Sequence, residues 1–289
     1  MSKYFKVQED SDKQSKQNSW DVAIGLQEVD GLKPSEYLIE VAKSHIDGKL
    51  SYKEVQDLLY QKYEAQSEES TNRQKECDIV SARMAEYLLN HSFRFSPLEL
   101  TLIHKYLFEG IILDQNKRDA SGQFRPYNIT KEEPILNNLS ITYGDYRTIQ
   151  EYLEYDFNEQ KRFIFHQDPR QVIENIANFT SNIWQIHPFR EGNTRTVALF
   201  MQCYLKEAGF LVDNSIFIEN SQYFRNALVR ANYANYAKGI RADITGLEVF
   251  FENMLFEGNH ELSNRNLIVD ELFVDIDNQE EDGFDLADD

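Results

Sequence analysis

The sequence predicts a mainly α-helical protein: a helical bundle interrupted by one short β-hairpin and preceded by a small helical module. From Cys77 to about Leu267, apolar residues recur every three or four positions, which is the period of a helix with one buried face. Residues 119–146 break this pattern with two glycines and two prolines, and the runs YNIT and SITY inside them have β character. We therefore expect a short hairpin set in an otherwise helical domain.

The N-terminal module is predicted over residues 20–63. Ser35 suits the N-cap of a helix that Gly48 ends, and Ser51 with Glu54 forms a capping box at the start of the next helix. Three short elements bury too little apolar surface to be stable by themselves. The module should therefore pack against a larger domain.

Charge and polarity divide the rest of the chain. Residues 1–19 are polar and expected to be flexible, 64–76 are polar and suit a linker, and 77–267 form the main helical domain. From Asp270 onward the chain has ten acids and no Lys or Arg, so 268–289 is predicted to be a solvated acidic tail. Docking of a basic partner to this tail is the alternative.

The charge and the cysteine content exclude several function classes. A formal net charge of -19 over 289 residues repels nucleic acid and anionic lipid, so neither is an expected partner. Two cysteines, Cys77 and Cys203, provide neither a disulfide framework nor a zinc site. No apolar run approaches the ~20 residues of a membrane span, and the polar start lacks the apolar core of a secretory signal. A cytoplasmic protein is the expectation, and homo-oligomerisation stays open because the sequence assigns no surface to it.

Residues 187–196, HPFREGNTRT, combine a base, an acid, a glycine, an amide and an arginine. Asp168 and Pro169 suit the start of a helix that leads into this run, and a second helical pattern begins right after it. The run therefore lies in the turn between two buried helices, with Gly192 and Asn193 at the N-terminus of the second. The backbone N–H groups and the dipole of a helix N-terminus favour a bound phosphate.

Each side chain in this turn can supply one part of a phosphate-transfer site. His187 can accept a proton from an attacking hydroxyl, and Glu191 can hold Mg²⁺ together with phosphate oxygens. Arg195, one turn inside the second helix, can neutralise the same phosphates, while Phe189 is expected to fill the core. Singly, each residue also has a structural explanation, such as a hydrogen-bonded histidine in a turn. Their combination in this order favours phosphate chemistry.

Together these residues resemble the signature of the Fic family (Fido fold), HPFx[D/E]GN[G/K]R. IHKYLFEG (103–110) resembles the helix before the family's flap, ASGQFR (120–125) its AGxxR segment, and YNITKEEPIL with SITYGDY its target-docking hairpin. The resemblance covers about residues 78–260 and implies a Fido-type helical bundle with a short β-hairpin flap. Arg125 and Lys131 flank the flap; ordinary surface charge is an alternative explanation for both, and it is favoured for Lys131.

The resemblance implies a protein adenylyltransferase, which moves AMP from ATP to a Ser, Thr or Tyr hydroxyl of a target protein. Other members of the family move phosphocholine or a single phosphate, or remove AMP. His187 would then be the general base, and Glu191 would hold Mg²⁺ on the nucleotide phosphates. The hairpin would bind an extended target segment through its main chain. The residues implied in nucleotide binding are Arg190, Gly192, Asn193, Thr194 and Arg195, and those of the docking flap are Asn128, Ile129 and Thr130.

Two positions depart from the family pattern. Thr194 stands where Gly or Lys is usual, and it is expected to narrow access to the phosphates. Ala198 stands where many members have a second arginine, which contacts the terminal phosphate. These departures keep an alternative open: a nucleotide- or partner-binding Fic-like protein with little turnover, or one that uses a different nucleotide donor.

The start of the N-terminal module, LQEVDG (26–31), resembles the inhibitory pattern [S/T]xxxE[G/N] of the small antitoxins that partner some Fic toxins. Asp30 and Gly31 are therefore candidate regulatory residues. Asp30 replaces the family's glutamate, whose usual partner is the arginine missing at Ala198, so we expect a lock that has eroded at both ends. A plain helical cap is the alternative. NMLFEG (253–258) has similar spacing, but a core-facing helix end is the simpler explanation there.

Overall fold

The computed structural model describes residues 7–64, 71–112, 118–165, 168–212 and 215–273. These residues form ten α-helices, several 3₁₀ turns and no regular β-strand, which confirms the predicted mainly helical class. Across the same residues, no helix is both long enough and apolar enough to cross a membrane.

The N-terminal module contains three helices joined by short turns. Residues 1–19 were expected to be flexible, but the chain is helical from Val7 onward, and residues 1–6 lie outside the described part. Polar side chains one helical turn apart hydrogen-bond to one another along this first helix, and Trp20, Val22 and Ala23 near its end are buried in the core. A 3₁₀ turn, Leu26–Asp30, follows it. The helices are α1 (Val7–Gly25), α2 (Glu36–Ile46) and α3 (Tyr52–Glu64).

The caps predicted from the sequence begin two of these helices. At the start of α2, the N–H of Leu38 donates to Oγ of Ser35 at 3.0 Å. At the start of α3, the N–H of Ser51 donates to the Glu54 carboxylate at 2.7 Å, and the N–H of Glu54 donates to Oγ of Ser51 at 3.3 Å. Both predicted caps are confirmed.

Seven further helices form the main domain. The first of them begins at Thr71, so the predicted linker, 64–76, is helical over its second half, while residues 65–70 lie outside the described part. Two central helices pack against each other through a core in which Trp184 and Phe200 are buried. The helices are α4 (Thr71–Asn90), α5 (Pro97–Phe108), α6 (Ile149–Arg162), α7 (Pro169–Ile186), α8 (Asn193–Glu207), α9 (Ser215–Ala231) and α10 (Thr245–Leu255).

The N-terminal module packs on the main domain and shares one hydrophobic core with it. α1 lies against α4 and α9, and at Gly25 a Cβ atom would be only 2.6 Å from Cα of Ile218 in α9. The buried carboxylate of Asp78, in α4, accepts hydrogen bonds from the N–H of Ser35 at 2.9 Å and from the hydroxyl of Tyr63 at 2.5 Å. These contacts hold the 3₁₀ turn after α1 beside α8 and α9.

The predicted β-hairpin is reduced to a single antiparallel bridge between Glu133 and Leu139. Pro134 starts a 3₁₀ turn immediately after Glu133, and Asn137 and Asn138 both have positive φ, at 52° and 61°. The chain therefore reverses next to the bridge, and Pro134 has no N–H to add to a ladder. The flap is an irregular extended segment, which corrects the expectation of paired strands.

The C-terminal end of the described chain also packs on the main domain. The acidic tail was predicted to begin at residue 268, but Val269 and Leu272 are buried. The N–H of Val269 donates to the carbonyl of Ile135 at 3.2 Å. Packing therefore extends past the predicted boundary, because two apolar side chains lie among the acids. Residues 274–289, the rest of the predicted tail, lie outside the described part.

The run NMLFEG (253–258) lies at the end of α10, as expected for a core-facing helix end. Phe250, Phe251 and Met254 of this helix are buried. The side chain of Asn253 accepts from the N–H of His260 at 3.0 Å and donates to its carbonyl at 2.8 Å, which fixes the turn after the helix. These contacts are structural.

Candidate active site

The motif HPFREGN forms the turn between α7 and α8, as predicted. Asp168 caps α7 by accepting from the N–H of Arg170 at 3.0 Å. His187 ends α7 with a left-handed φ of 49°, and Gly192 precedes α8 with a φ of 72°. These two positive φ values reverse the chain between the helices, so one of the two reversal points is the candidate base itself.

His187 has the tautomer that a general base needs. Its Nδ1 lies 3.2 Å from the carbonyl oxygen of Trp184 and donates to it, so the lone pair is on Nε2. Nε2 is buried and has no hydrogen-bond partner among the described residues. The ring of Tyr143 covers the imidazole at a centroid distance of 4.4 Å. Burial, followed by the positive charge of Lys131, lowers the pKa of His187 well below its ordinary value, so the imidazole is neutral around neutral pH.

A second histidine, His104 in α5, contacts the turn between α7 and α8. The N–H of Gly122 donates to its Nδ1 at 2.8 Å, so its Nε2 carries the proton and donates to the carbonyl of Glu191 at 3.0 Å. The imidazole stacks on Phe189 with a centroid distance of 3.8 Å. Burial lowers the pKa of His104 to about 4, which keeps this positioning group neutral. Phe189 is itself buried, which confirms that it fills the core.

Asn193 and Arg125 hold the loop through its backbone. The amide of Asn193 accepts from the N–H of Phe189 and donates to its carbonyl, both at 2.9 Å. Nε of Arg125 donates to the carbonyl of His187 at 2.7 Å, and its other nitrogens donate to three further carbonyls, including that of Gly144. Arg125 is therefore a buried scaffold residue, not ordinary surface charge, and the side chain of Asn193 is occupied by the loop.

The N-terminus of α8 has no side-chain cap, so its first backbone N–H groups face the site. The glycine before it is required by packing as well as by φ, because a Cβ on Gly192 would lie 2.3 Å from Cζ of Phe108. Oγ1 of Thr194 accepts from the indole N–H of Trp184 at 3.0 Å and points into the core. The expectation that Thr194 narrows access to phosphates is therefore wrong, because its side chain is turned toward the core and away from the proposed phosphate site.

A cleft of about 590 Å³ lies beside the motif, and both Glu191 and Arg195 line it. The Glu191 side chain is 68% exposed, and its carboxylate is 4.0 Å from Nζ of Lys131. One exposed carboxylate on an open cleft is the kind of donor that Mg²⁺ uses together with phosphate oxygens and water. Among the described residues there is no group of three or more His, Cys, Asp or Glu that could bind a metal alone. The other lining residues are Val29, Asp30, Arg73, Glu76, Ile111, Ile112, Pro134, Gln222 and Arg225.

Three side chains hold the guanidinium of Arg195, and we call them the Arg195 clamp: Gln27, Asp30 and Glu76. Nη1 donates to Gln27 at 2.9 Å and Nη2 to Glu76 at 2.5 Å. Nε is 2.7 Å from Oδ2 of Asp30, an ion pair whose N–H direction misses hydrogen-bond geometry. Burial acts to lower the pKa of Arg195, but the charges of Asp30 and Glu76 outweigh it, so the pKa is raised. Arg195 is 2% exposed, and each of its three side-chain nitrogens lies within 2.9 Å of an oxygen of the clamp.

The clamp corrects the expectation for Asp30. The sequence pattern paired this residue with the arginine that is missing at Ala198, which predicted an eroded lock. Asp30 instead contacts Arg195, one turn earlier on the same helix, while Ala198 is fully buried. Gly31, the other candidate regulatory residue, ends the 3₁₀ turn with a φ of 67° and thereby sets the position of Asp30.

Residues 94–205, which contain the whole motif, match the model of the Fic/DOC family. This segment of the chain is therefore similar to the Fic/DOC family. Members of this family generally transfer AMP or another nucleotide-related group to protein targets. No curated protein is a significant match to the chain.

Solved structures are also similar to part of this chain. One is the N-terminal Fic domain of Bartonella effector protein (Bep), a substrate of the VirB T4SS, from Bartonella sp. AR 15-3. It is 18% identical to this chain, with a TM-score of 0.47, and the match covers 65% of this chain and 82% of that one.

The remaining predicted site residues lie in three places. Glu191 and Arg195 meet at the cleft, whereas Arg190 lies over the ring of Tyr127, 5.5 Å from its centroid. On the flap, Asn128 and Thr130 are exposed, and Ile129 is half-buried. Their docking role stays a prediction.

Sequence reasoning missed three groups that shape the site: Gln27, Glu76 and the His104 imidazole. Glu76 lies 119 positions from Arg195, and no local pattern marks a pair so far apart. His104 was within the run IHKYLFEG that resembles the family, but its contact with Glu191 depends on the loop's position in space.

Proposed function

We propose that this Fic/DOC-like protein transfers AMP from ATP to a Ser, Thr or Tyr hydroxyl of a target protein. His187, as general base, would accept the hydroxyl proton while the hydroxyl oxygen bonds to the α-phosphorus and pyrophosphate leaves. The observation that carries the proposal is the unpartnered Nε2 lone pair of His187 in the turn that leads to the uncapped N-terminus of α8. A base for the hydroxyl and backbone donors for a phosphate are two parts that this transfer needs. Glu191 would hold Mg²⁺, which neutralises charge on the phosphates when bound.

Access to the base requires the flap to move. Tyr143 covers His187, and its hydroxyl donates to Glu133 at 3.3 Å. A target hydroxyl reaches Nε2 only after this ring is displaced. Binding of a target along residues 128–130 and exposure of the base would therefore occur together.

Asp30 of the N-terminal module and Glu76 of α4 restrain the reaction in this proposal. Arg195 cannot contact a phosphate while Asp30 and Glu76 hold its guanidinium, because a buried cation has to stay paired. A nucleotide phosphate offers a replacement anion, but it has to displace both carboxylates. Weakening the clamp should therefore raise activity.

The clamp also favours a second candidate: a Fic-like protein that binds a nucleotide or a partner with little turnover. Arg195 is bonded to the clamp and Tyr143 covers the base, so this conformation is suited to binding a ligand rather than to catalysing its transfer. A different nucleotide donor is a variant of this candidate, because Ala198 removes one expected phosphate contact.

Transfer of label from α-phosphate-labelled ATP into the proteins of a cell lysate, with Mg²⁺, tests the proposal. The full chain is compared with Asp30→Asn/Glu76→Gln and with His187→Asn in both backgrounds, since Asn tolerates the left-handed φ at this position but cannot act as the base. We expect the clamp variant to raise incorporation at least about tenfold, and His187→Asn to lower it by about 10²-fold or more. Asp47→Asn, an exposed acid of the same module, is the control for charge and should change nothing.

The outcomes separate the two candidates. Incorporation that survives His187→Asn would contradict the proposed mechanism. Binding of ATP without incorporation in any variant would favour the second candidate. Equal incorporation by the chain and by the clamp variant would remove the restraint and leave AMP transfer in place.

A further inference from the structure

Three arginines line the cleft beside the motif, and they differ in how far their charge is used. Arg195 is held by the clamp. Arg73, at the start of α4, donates Nη2 to the carbonyl of Asp30 at 3.1 Å. The third, Arg225 in α9, pairs with Glu133, which is not part of the clamp.

Arg225 is held by one carboxylate along one edge of its guanidinium. Nη1 and Nη2 donate to the two oxygens of Glu133 at 2.6 and 3.0 Å. Glu133 is fully buried, whereas the Arg225 side chain is 16% exposed. A guanidinium has more N–H donors than one carboxylate can accept, so Arg225 keeps donors for a second anion.

The position of Arg225 places those donors between two cavities. It lines the cleft that contains Glu191 and Arg195, and also a neighbouring cavity of about 550 Å³ that contains Thr130 and Lys131 of the flap. Burial is the main cause of the lowered pKa of His187, and the positive charge of Arg225 contributes to it. The guanidinium therefore lines the same cleft as the carboxylate that would hold Mg²⁺.

Ala198, where the family's second arginine would stand, is fully buried in α8 and supplies no charge. We propose that Arg225 replaces that missing cation and binds the terminal phosphates of the nucleotide, with Glu133 as the residue that positions it. The inference rests on the proposed function of the same cleft. A guanidinium oriented in advance by a buried carboxylate loses little freedom when a phosphate binds, and a phosphate can bind to its free edge without displacing Glu133.

The alternative is that Arg225 only neutralises the buried charge of Glu133. The two roles differ in what they predict for ligands with different numbers of phosphates. A terminal-phosphate contact stabilises ATP and inorganic triphosphate but not AMP. A purely structural ion pair affects all three ligands alike, through the shape of the cleft.

The test measures the affinities of ATP, AMP and inorganic triphosphate for the full chain, in the wild-type and the Asp30→Asn/Glu76→Gln backgrounds. The variant is Glu133→Gln/Arg225→Gln, which leaves no buried carboxylate unpaired. Arg230→Gln, on the same helix with its guanidinium bonded to the carbonyl of Arg241, is the matched control for charge. A thermal unfolding curve of each variant checks the fold.

We expect the double variant to lower the affinities for ATP and triphosphate by about tenfold or more, and the affinity for AMP by less than about threefold. Arg230→Gln should leave all three affinities unchanged. Equal losses for ATP and AMP, or no loss for either, would overturn the role of Arg225. That result would leave AMP transfer standing if label incorporation still depends on His187. Triphosphate binding that depends on Arg225 in a chain with no label incorporation would support this inference and contradict the proposed function. If neither background binds any of the three ligands, both proposals fail.

Discussion

The two ends of the motif, His187 and Arg195, are both buried but have opposite surroundings. Nε2 of His187 has no hydrogen-bond partner among the described residues, whereas the Arg195 guanidinium contacts Gln27, Asp30 and Glu76. The proposed base therefore has a free lone pair and is covered by Tyr143, while the cation proposed to bind phosphate is already paired within the chain. The proposed reaction is therefore restrained at both ends of the motif, by the ring of Tyr143 at the base and by the clamp at Arg195.

The contrast follows from the charge of each group. A neutral imidazole can lie in an apolar pocket at modest cost, and the lowered pKa of His187 keeps it neutral there. A guanidinium cannot be neutralised in this way and has to be buried with anions. Whatever removes Asp30 and Glu76 from Arg195 therefore has to supply negative charge in their place.

The largest expected effect is that of Arg195→Gln in the Asp30→Asn/Glu76→Gln background. If the released arginine binds phosphate in the transition state, its loss should lower kcat/KM for label transfer by about 10²- to 10³-fold. Steady-state kinetics with purified target or lysate protein measures this. Arg265→Gln, an exposed arginine paired with Asp270, is the control. A change within about threefold would mean that Arg195 acts only in folding.

The next prediction concerns the glycine between the two ends. Gly192→Ala should lower the free energy of unfolding by about 3–5 kcal/mol, because a left-handed φ and a collision with Phe108 add up. Gly209→Ala is the matched control, since its φ is also positive but nothing lies within 4 Å of the new Cβ. It should cost only about 1–2 kcal/mol. Urea unfolding measures both, and equal losses would show that Phe108 moves aside.

A smaller effect is expected at Thr194. Thr194→Val removes the oxygen that accepts from the indole of Trp184 and should lower the free energy of unfolding by about 1–3 kcal/mol. Thr194→Ser retains the acceptor and should cost less than about 1 kcal/mol. If valine is tolerated as well as serine, the indole N–H finds another partner, and the position of this helix turn is less constrained than its contacts indicate.

The smallest expected effect is that of pH on the base. Because the pKa of His187 is lowered, the imidazole stays unprotonated at pH values below the ordinary pKa of a histidine. The single-turnover rate should therefore fall less than about twofold between pH 8 and pH 6. Lys131→Gln removes a positive neighbour, raises the pKa of His187 and moves the fall to higher pH. Half of the rate lost near pH 6.5 in the unmodified chain would contradict the burial of the base.

The features predicted well from the sequence are those that depend on neighbours along the chain. Helix caps at Ser35, Ser51 and Asp168 and the turn at Gly192 follow from local chemistry, and the structure has all of them. The prediction of a paired hairpin was wrong for a reason that is also local. Pro134 and the two asparagines after it outweigh the β character of the neighbouring runs.

Contacts between distant segments could not be predicted in the same way. Positions 195 and 198 are three residues apart on one helix and face similar directions, so the pattern around Asp30 did not show which of them it meets. Glu76 lies 119 positions from Arg195, and Glu133 lies 92 positions from Arg225. Only the packing of α4 against α8 and of the flap against α9 brings these partners together.

The Arg195 clamp has a thermodynamic consequence that does not depend on catalysis. One guanidinium cannot be held by the N-terminal module and by a phosphate at the same time, so the two equilibria are linked. By reciprocity, any ligand that takes Arg195 loosens the module by the same factor by which the module weakens that ligand. A protein or surface that captured the released N-terminal helices would therefore act as an activator at a distance, and the nucleotide concentration would in turn regulate that capture.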